Sequence, residues 1–183
     1  EVTDDFLREF LQASSTVGLD IEWYKDDSLA CVTVSNADGG AAYAPAEGGL
    51  LKTLDLFIQG CDVVTWNGLG DLRRLNEYGV DFTIKHDGMT AAWVLQLASQ
   101  GLKANAREWC GMEMRDFKDV FADGFEAAPE GIRYACRDAD ATLRTTLRLV
   151  EEVDRQGLRP VYDLAMECFP VVMDMMRHGV LVD

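Results

Sequence analysis

Residues 17–23 read VGLDIEW. Val17, Leu19, Ile21 and Trp23 alternate with Gly18, Asp20 and Glu22, the period-two pattern of a β-strand with one apolar face and one face carrying two carboxylates. Leu29 to Ser35 reads as a second strand and Ala41 to Ala44 as a third, with the turn NADGG (Asn36 to Gly40) between them, so the chain opens as an antiparallel meander. Lys52 to Gln59 has helical character, Asp62 to Trp66 is a short apolar strand, and Leu69 to Tyr78 is again helical, with Leu69, Leu72 and Leu75 at three-residue steps. Strands that give way to alternating helices indicate an α/β layer fold.

Beyond a short segment near Phe82 to Lys85, Asp87 and Thr90 are placed to cap a helix running to about Ser99, and Leu102 to Cys110 reads as a helix stopped by Gly111. Met112 to Pro129 is acidic and loop-like. Pro129 starts a long helix on which Ile132, Cys136, Ala139, Leu143, Leu147 and Val150 predict one apolar stripe. Gly157 and Pro160 interrupt the pattern, and Val161 to Arg177 reads as a further apolar helix whose partners belong to a larger protein. No internal repeat or low-complexity segment is present.

The 183 residues, 48% hydrophobic and 27% charged, suit one globular domain with a short piece of a second. The apolar runs fall short of the roughly 20 residues that span a bilayer, and the N-terminal EVTDDFLREF is acidic rather than basic-then-apolar, so a soluble, uncleaved chain is expected. Cys31, Cys61, Cys110, Cys136 and Cys168 form an odd set without a C-x-x-C spacing, which argues against a disulfide framework or structural zinc and for a reducing, cytoplasmic home: a nucleoid, or a host cytoplasm for a viral protein. Seventeen Lys plus Arg against 32 Asp plus Glu give a formal net charge of −15. A broad basic track for duplex nucleic acid is thereby excluded, but an acidic cleft that grips a strand end through divalent cations is not.

Three pairs of residues carry candidate chemistry. Asp20 and Glu22 project from one strand face, where like charges are costly without a cation between them. Asn67, at a helix N-cap, and Asp71, one turn later, stand at the C-terminal end of a strand, where α/β folds place ligands. Tyr134 and Asp138 stack four residues apart on the long helix, on a face roughly opposite its predicted stripe. Each pair alone is more commonly just what a solvated strand, a capped helix or a polar helix face carries.

Taken in order, D-x-E on a strand, N-x-x-x-D at a strand-to-helix junction and Y-x-x-x-D on a later helix resemble the exonuclease superfamily with four catalytic acids and a tyrosine. LDIEW (Leu19 to Trp23), TWNGLGDLRRL (Thr65 to Leu75) and YACRDADATLR (Tyr134 to Arg144) resemble the 3′→5′ proofreading exonuclease domain of family A DNA polymerases. The third is the most specific, because Asp140 stands two residues beyond Asp138, as a second Asp does in that family. The likeness extends over essentially the whole chain. Glu167 to Pro170 and Arg177 to Asp183 look like the start of the family's polymerase domain, implying an exonuclease domain over 1–157 and a truncated polymerase portion over 158–183.

The resemblance implies a ribonuclease-H-like fold: a mixed sheet, antiparallel meander then parallel strands, flanked by helices. It also implies that Asp20, Glu22, Asp71 and Asp138 surround two Mg²⁺ or Mn²⁺ ions, with oxygen ligands suited to either. Tyr134, with an ordinary pKa near 10, is a better water-orienting group than a base. Arg133 stands where relatives using histidine carry it, which puts the chain in the tyrosine branch. Trp23, Asn67 and Arg74 are candidate substrate contacts, and Arg73 and Lys103 candidate phosphate contacts. The expected substrate is a single-stranded DNA 3′ end, the partner a polymerase domain on the same chain, and no membrane is involved. Trp23 departs from the polymerase pattern and is more typical of ribonuclease D, so an exoribonuclease is an alternative, as is a non-catalytic brace for a polymerase domain.

Overall fold

The computed structural model describes residues 2–47, 49–121 and 123–179. The decisive alternating segment is strand β1 (Thr16–Trp23), which lies at the centre of the sheet. On one side it pairs antiparallel with β2 (Leu29–Asn36), which pairs antiparallel with β3 (Ala41–Pro45); on the other it runs parallel to β4 (Asp62–Thr65), itself parallel to β5 (Ile84–Asp87). The spatial order is therefore β3-β2-β1-β4-β5, the expected meander followed by parallel strands. Asp20 faces Thr33 and Glu22 faces Cys31 across the β1–β2 ladder, and the register shifts between Glu22 and Trp23. Such an irregularity re-aims the next side chain, here Trp23.

The two faces of β1 are covered differently. Val17, Leu19 and Ile21 enter a core with Leu7 and Leu11 of α1 (Asp4–Ala13), Leu50, Leu51, Leu54 and Ile58 of α2 (Leu50–Ile58), and Leu72 and Leu75 of α3 (Gly68–Glu77). The face of Gly18, Asp20 and Glu22 lies under the long helix α7 (Pro129–Arg155), which begins at Pro129 as expected. Flanking α7 are α4 (Gly88–Val94) and α5 (Leu102–Cys110), the latter ended by Gly111 in a left-handed conformation. Helix α1, unanticipated from sequence, is capped by the Thr3 hydroxyl, which accepts the Phe6 N–H at 3.2 Å.

Gly18 governs the approach of α7. A Cβ there would lie 2.5 Å from the Ala139 carbonyl and 2.6 Å from Leu143 Cβ, so the helix backbone rests almost directly on β1. The Thr33 hydroxyl donates to the Ala135 carbonyl at 3.1 Å across the same contact. The expected stripe is corrected accordingly: Ile132, Cys136 and Leu147 are only half-buried, whereas Ala135, Asp138, Ala139, Thr142 and Leu143 are buried. Helix α7 lies between the sheet and the α4/α5 layer, and small Ala and Thr side chains permit the close approach, so its most apolar stripe does not mark its sheet-facing side.

Other segments differ from the sequence expectations. The helix capped by Asp87 ends at Val94 rather than near Ser99, with Gln96 at φ 54° beyond it. A one-turn helix, α6 (Phe117–Val120), interrupts the expected loop. Val161 to Arg177 is two helices, α8 (Arg159–Glu167) and α9 (Phe169–His178), divided at Cys168. Both dock on this domain: Tyr162 of α8 is 1% exposed against α4 and α7, and Met173 of α9 joins the α1–α3 core. Val161, Leu164, Val171 and Met175 remain exposed. Positions 180–183, within the stretch assigned to a polymerase portion, lie outside the described residues. Among the described residues no helix is long and apolar enough to cross a membrane.

Candidate active site

The close packing of α7 on β1 brings the third acid to the first two. Carboxylate oxygens of Asp20, Glu22 and Asp138 lie within 4.8 Å of one another, and Glu22 and Asp138 are only 7% and 8% exposed. Asp71, in the first turn of α3, stands outside that trio. Its charge nevertheless reaches Asp20, and that of Glu22 reaches Asp71. All four acids are thus held in one electrostatic unit.

Burial and mutual repulsion disfavour ionisation throughout this unit. Desolvation, then Glu22, Asp138 and Asp71, raise Asp20 well above the ordinary carboxylate range. Desolvation and Asp138 push Glu22 up to about 8; desolvation, Asp87 and Glu22 push Asp71 to about 8. Asp138 is raised less, to about 6, because Lys103 and the Tyr134 hydroxyl offset its burial. Closely spaced, all-oxygen ligands whose repulsion is only partly answered by one lysine fit a hard divalent cation, whose charge reverses the local cost of ionisation. Asp20, Glu22, Asp138 and Asp71 are the residues that would hold it.

Tyr134 stands at the edge of the trio. Its ring packs edge-on against Phe117 and Phe121, with centroids at 6.0 and 5.3 Å. The wall formed by α6 and Phe121 therefore fixes the ring, a contact between distant residues that periodicity does not encode. Desolvation, then the charges of Asp138 and Glu22, push the phenol above its ordinary pKa. Lys103 of α5 donates to the Tyr134 hydroxyl and to the Arg115 carbonyl at 2.7 Å, with its ammonium 3.8 Å from Asp138 Oδ2.

The remaining sequence candidates gather in part. Trp23, Asn67, Asp71, Arg73 and Arg74 line one groove of about 450 Å³. Asn67 occupies the N-cap position of α3 with φ 65°, yet its side chain makes no capping bond, contrary to the simple capping alternative. Asp87 serves instead, accepting the Gly68 N–H. Arg74 lies 4.8 Å above the Trp23 ring and is paired with Asp27 and Glu77, so it braces Trp23 more directly than it presents a free cation. Arg73 is exposed on the same rim.

The model of the family described as 3′-5′ exonuclease matches residues 3–154, and the chain belongs to that family. Comparison with curated proteins gave no match. Among solved structures, the POL domain of Pol1 from M. smegmatis, complexed with DNA primer-template and dNTP, superposes with a TM-score of 0.81 at 16% identity, covering 100% of this chain and 32% of that chain. Brucella melitensis NrnC gives 0.74 at 17% identity, covering 91% and 87%. The catalytic core of RRP6 from Trypanosoma brucei gives 0.70 at 14%, covering 91% and 50%. These likenesses show the shared ribonuclease-H-like α/β fold.

Proposed function

We propose that this chain is a metal-dependent 3′→5′ exonuclease that removes mononucleotides from single-stranded DNA ends, as the proofreading portion of a family A polymerase. The observation that carries the reading is the convergence of Asp20, Glu22 and Asp138 within 4.8 Å beside Tyr134 in a chain of the 3′-5′ exonuclease family. In this reading residues 1–157 form the exonuclease and 158–183 begin a polymerase portion. A divalent pair, Mg²⁺ or Mn²⁺, would activate the attacking water and stabilise the leaving 3′ oxygen.

The chain's own residues have separate tasks. Asp20, Glu22 and Asp138, within 4.8 Å of one another, and Asp71, whose charge reaches Asp20, are the carboxylates that would hold the ions, Asp20 as a shared ligand and Asp71 on the leaving-group side. Tyr134 stays a phenol and donates a hydrogen bond that orients the water, since its environment disfavours phenolate. Trp23, braced by Arg74, and Asn67 line the groove that would receive the terminal base and sugar. Stacking on such a ring contributes about 1–3 kcal/mol per base.

A ribonuclease-D-like exoribonuclease is the second reading, favoured by Trp23 directly after the acid pair. Degradation of 5′-labelled DNA and RNA oligomers, with Mg²⁺, Mn²⁺ or chelator, by the wild type and Asp20→Ala tests both. Metal-dependent shortening of DNA from the 3′ end, lost in Asp20→Ala, is expected. Preference for RNA would select the second reading, and no cleavage of either would leave a non-catalytic brace.

A further inference from the structure

We infer that Lys103 is a positioning residue that acts through Tyr134, forcing the tyrosine hydroxyl to serve as a hydrogen-bond donor into the acid cluster. The inference rests on the exonuclease reading and concerns a residue that none of the motif pairs contains.

The polarity of the Lys103–Tyr134 bond carries the argument. An ammonium has three donors and no acceptor. Its bond to Tyr134 must therefore run from Nζ–H to the phenolic oxygen. With that lone pair occupied, the phenol's single proton points away from Lys103. The acceptors open to it are the carboxylates of the cluster: Asp138 stands one turn on along α7, with its Oδ2 3.8 Å from the same ammonium. Without Lys103 the hydroxyl is free to rotate, and in some orientations it would accept a hydrogen bond from the water it is meant to orient.

Lys103 is itself held in place. A second donor meets the Arg115 carbonyl at 2.7 Å. The Arg115 side chain in turn bonds Glu130 at 2.5 Å and the Asp119 carbonyl at 2.6 Å, connecting the post-α5 segment to the first turn of α7. The ammonium consequently stops 3.8 Å from Asp138 rather than collapsing onto it, leaving that carboxylate available as a ligand. A cation at this distance also opposes binding of a divalent ion, which separates its role from that of a structural support: a support when removed weakens metal binding, whereas this cation when removed strengthens it.

The test compares Lys103→Met, Lys103→Arg, Tyr134→Phe and the Lys103→Met/Tyr134→Phe double variant. Single-turnover cleavage of a 5′-labelled single-stranded DNA, Mn²⁺ titration followed by the paramagnetic signal of free ion, and melting in chelator are measured for each. Lys103→Met is expected to lose roughly 10- to 200-fold in rate, matching Tyr134→Phe, since each removes the same oriented hydrogen bond. The double variant should be no slower than either single one, Mn²⁺ affinity should be equal or higher in Lys103→Met, and Lys103→Arg should recover part of the rate. The melting effects of the two single substitutions should be non-additive in the metal-free protein.

Additive rate losses would overturn the inference by showing that Lys103 acts independently, for example on a phosphate. Weaker Mn²⁺ binding in Lys103→Met, or a wild-type rate, would also overturn it. If the wild type cleaves nothing, the exonuclease reading fails; additive melting effects in chelator would then separately reject the Lys103–Tyr134 coupling.

Discussion

The Asp87 carboxylate accepts the Gly68 backbone N–H at 2.8 Å, joining the end of β5 to the first residue of α3. The same oxygen receives the Thr65 hydroxyl at 3.1 Å, while its other oxygen receives the Thr90 N–H and hydroxyl at 2.8 and 2.7 Å. One buried carboxylate thereby seats α3, which carries Asp71, and caps α4. The Tyr162 hydroxyl accepts the Asp87 N–H at 3.0 Å and ties α8 to the same junction.

Asp87→Ala should therefore destabilise the fold by at least about 3 kcal/mol, since it leaves buried donors unsatisfied and removes a cap. Nuclease activity should fall with it, through displacement of Asp71. Urea unfolding checks this; a loss under about 1 kcal/mol would mean that other groups satisfy these donors.

Gly18→Ala tests the approach of α7 to β1. Its Cβ would stand 2.5 Å from the Ala139 carbonyl and 2.6 Å from Leu143 Cβ, so the helix must move. The expected destabilisation is about 1–3 kcal/mol or more. Displacing Asp138 from Asp20 and Glu22 should also weaken Mn²⁺ binding, and a variant with wild-type stability and metal affinity would refute the packing argument.

Metal-free stability should fall as pH rises. Glu22 and Asp71 are raised to about 8 and Asp138 to about 6 in the folded protein. A group raised on folding contributes stability that is fully present below its unfolded pKa and lost as pH climbs through its folded value. In chelator, melting temperature should accordingly decrease from about pH 5 to about pH 8. Added Mg²⁺ or Mn²⁺ should raise it more at the upper end, where the ligands are free of protons. A metal-free melting temperature that rises across this window would contradict the buried acid cluster.

Tyr134→Phe and Asp138→Ala should separate water orientation from ligation. Tyr134→Phe keeps the packing against Phe117 and Phe121 and removes one hydrogen bond, a loss of about 1.5–3 kcal/mol or roughly 10- to 200-fold in rate, with metal affinity preserved. Asp138→Ala should lower rate and metal affinity together, and by more. Single-turnover kinetics with metal titration distinguish them; equal loss of metal affinity in both variants would show the assigned roles to be wrong.

Local pattern was sufficient for the elements that carry the site. Alternation in VGLDIEW placed Asp20 and Glu22 on one strand face, and Pro129 marked the start of the helix that bears Tyr134 and Asp138. Both features depend on neighbours a few residues away, which is the range over which period and capping act. The sheet-facing side of α7 was not legible in this way. A helix packed on several sides by Ala and Thr has no single apolar stripe, so only contact with Gly18 and Thr33 determines that Asp138 points inward. Tertiary structure likewise decided that Asp87 rather than Asn67 satisfies the N-terminus of α3 and that Lys103 meets Tyr134. Both are directional contacts between residues remote in sequence, whose geometry exists only once the layers have packed, whereas the break between α8 and α9 at Cys168 is local, set beside Pro170 in the first turn of α9.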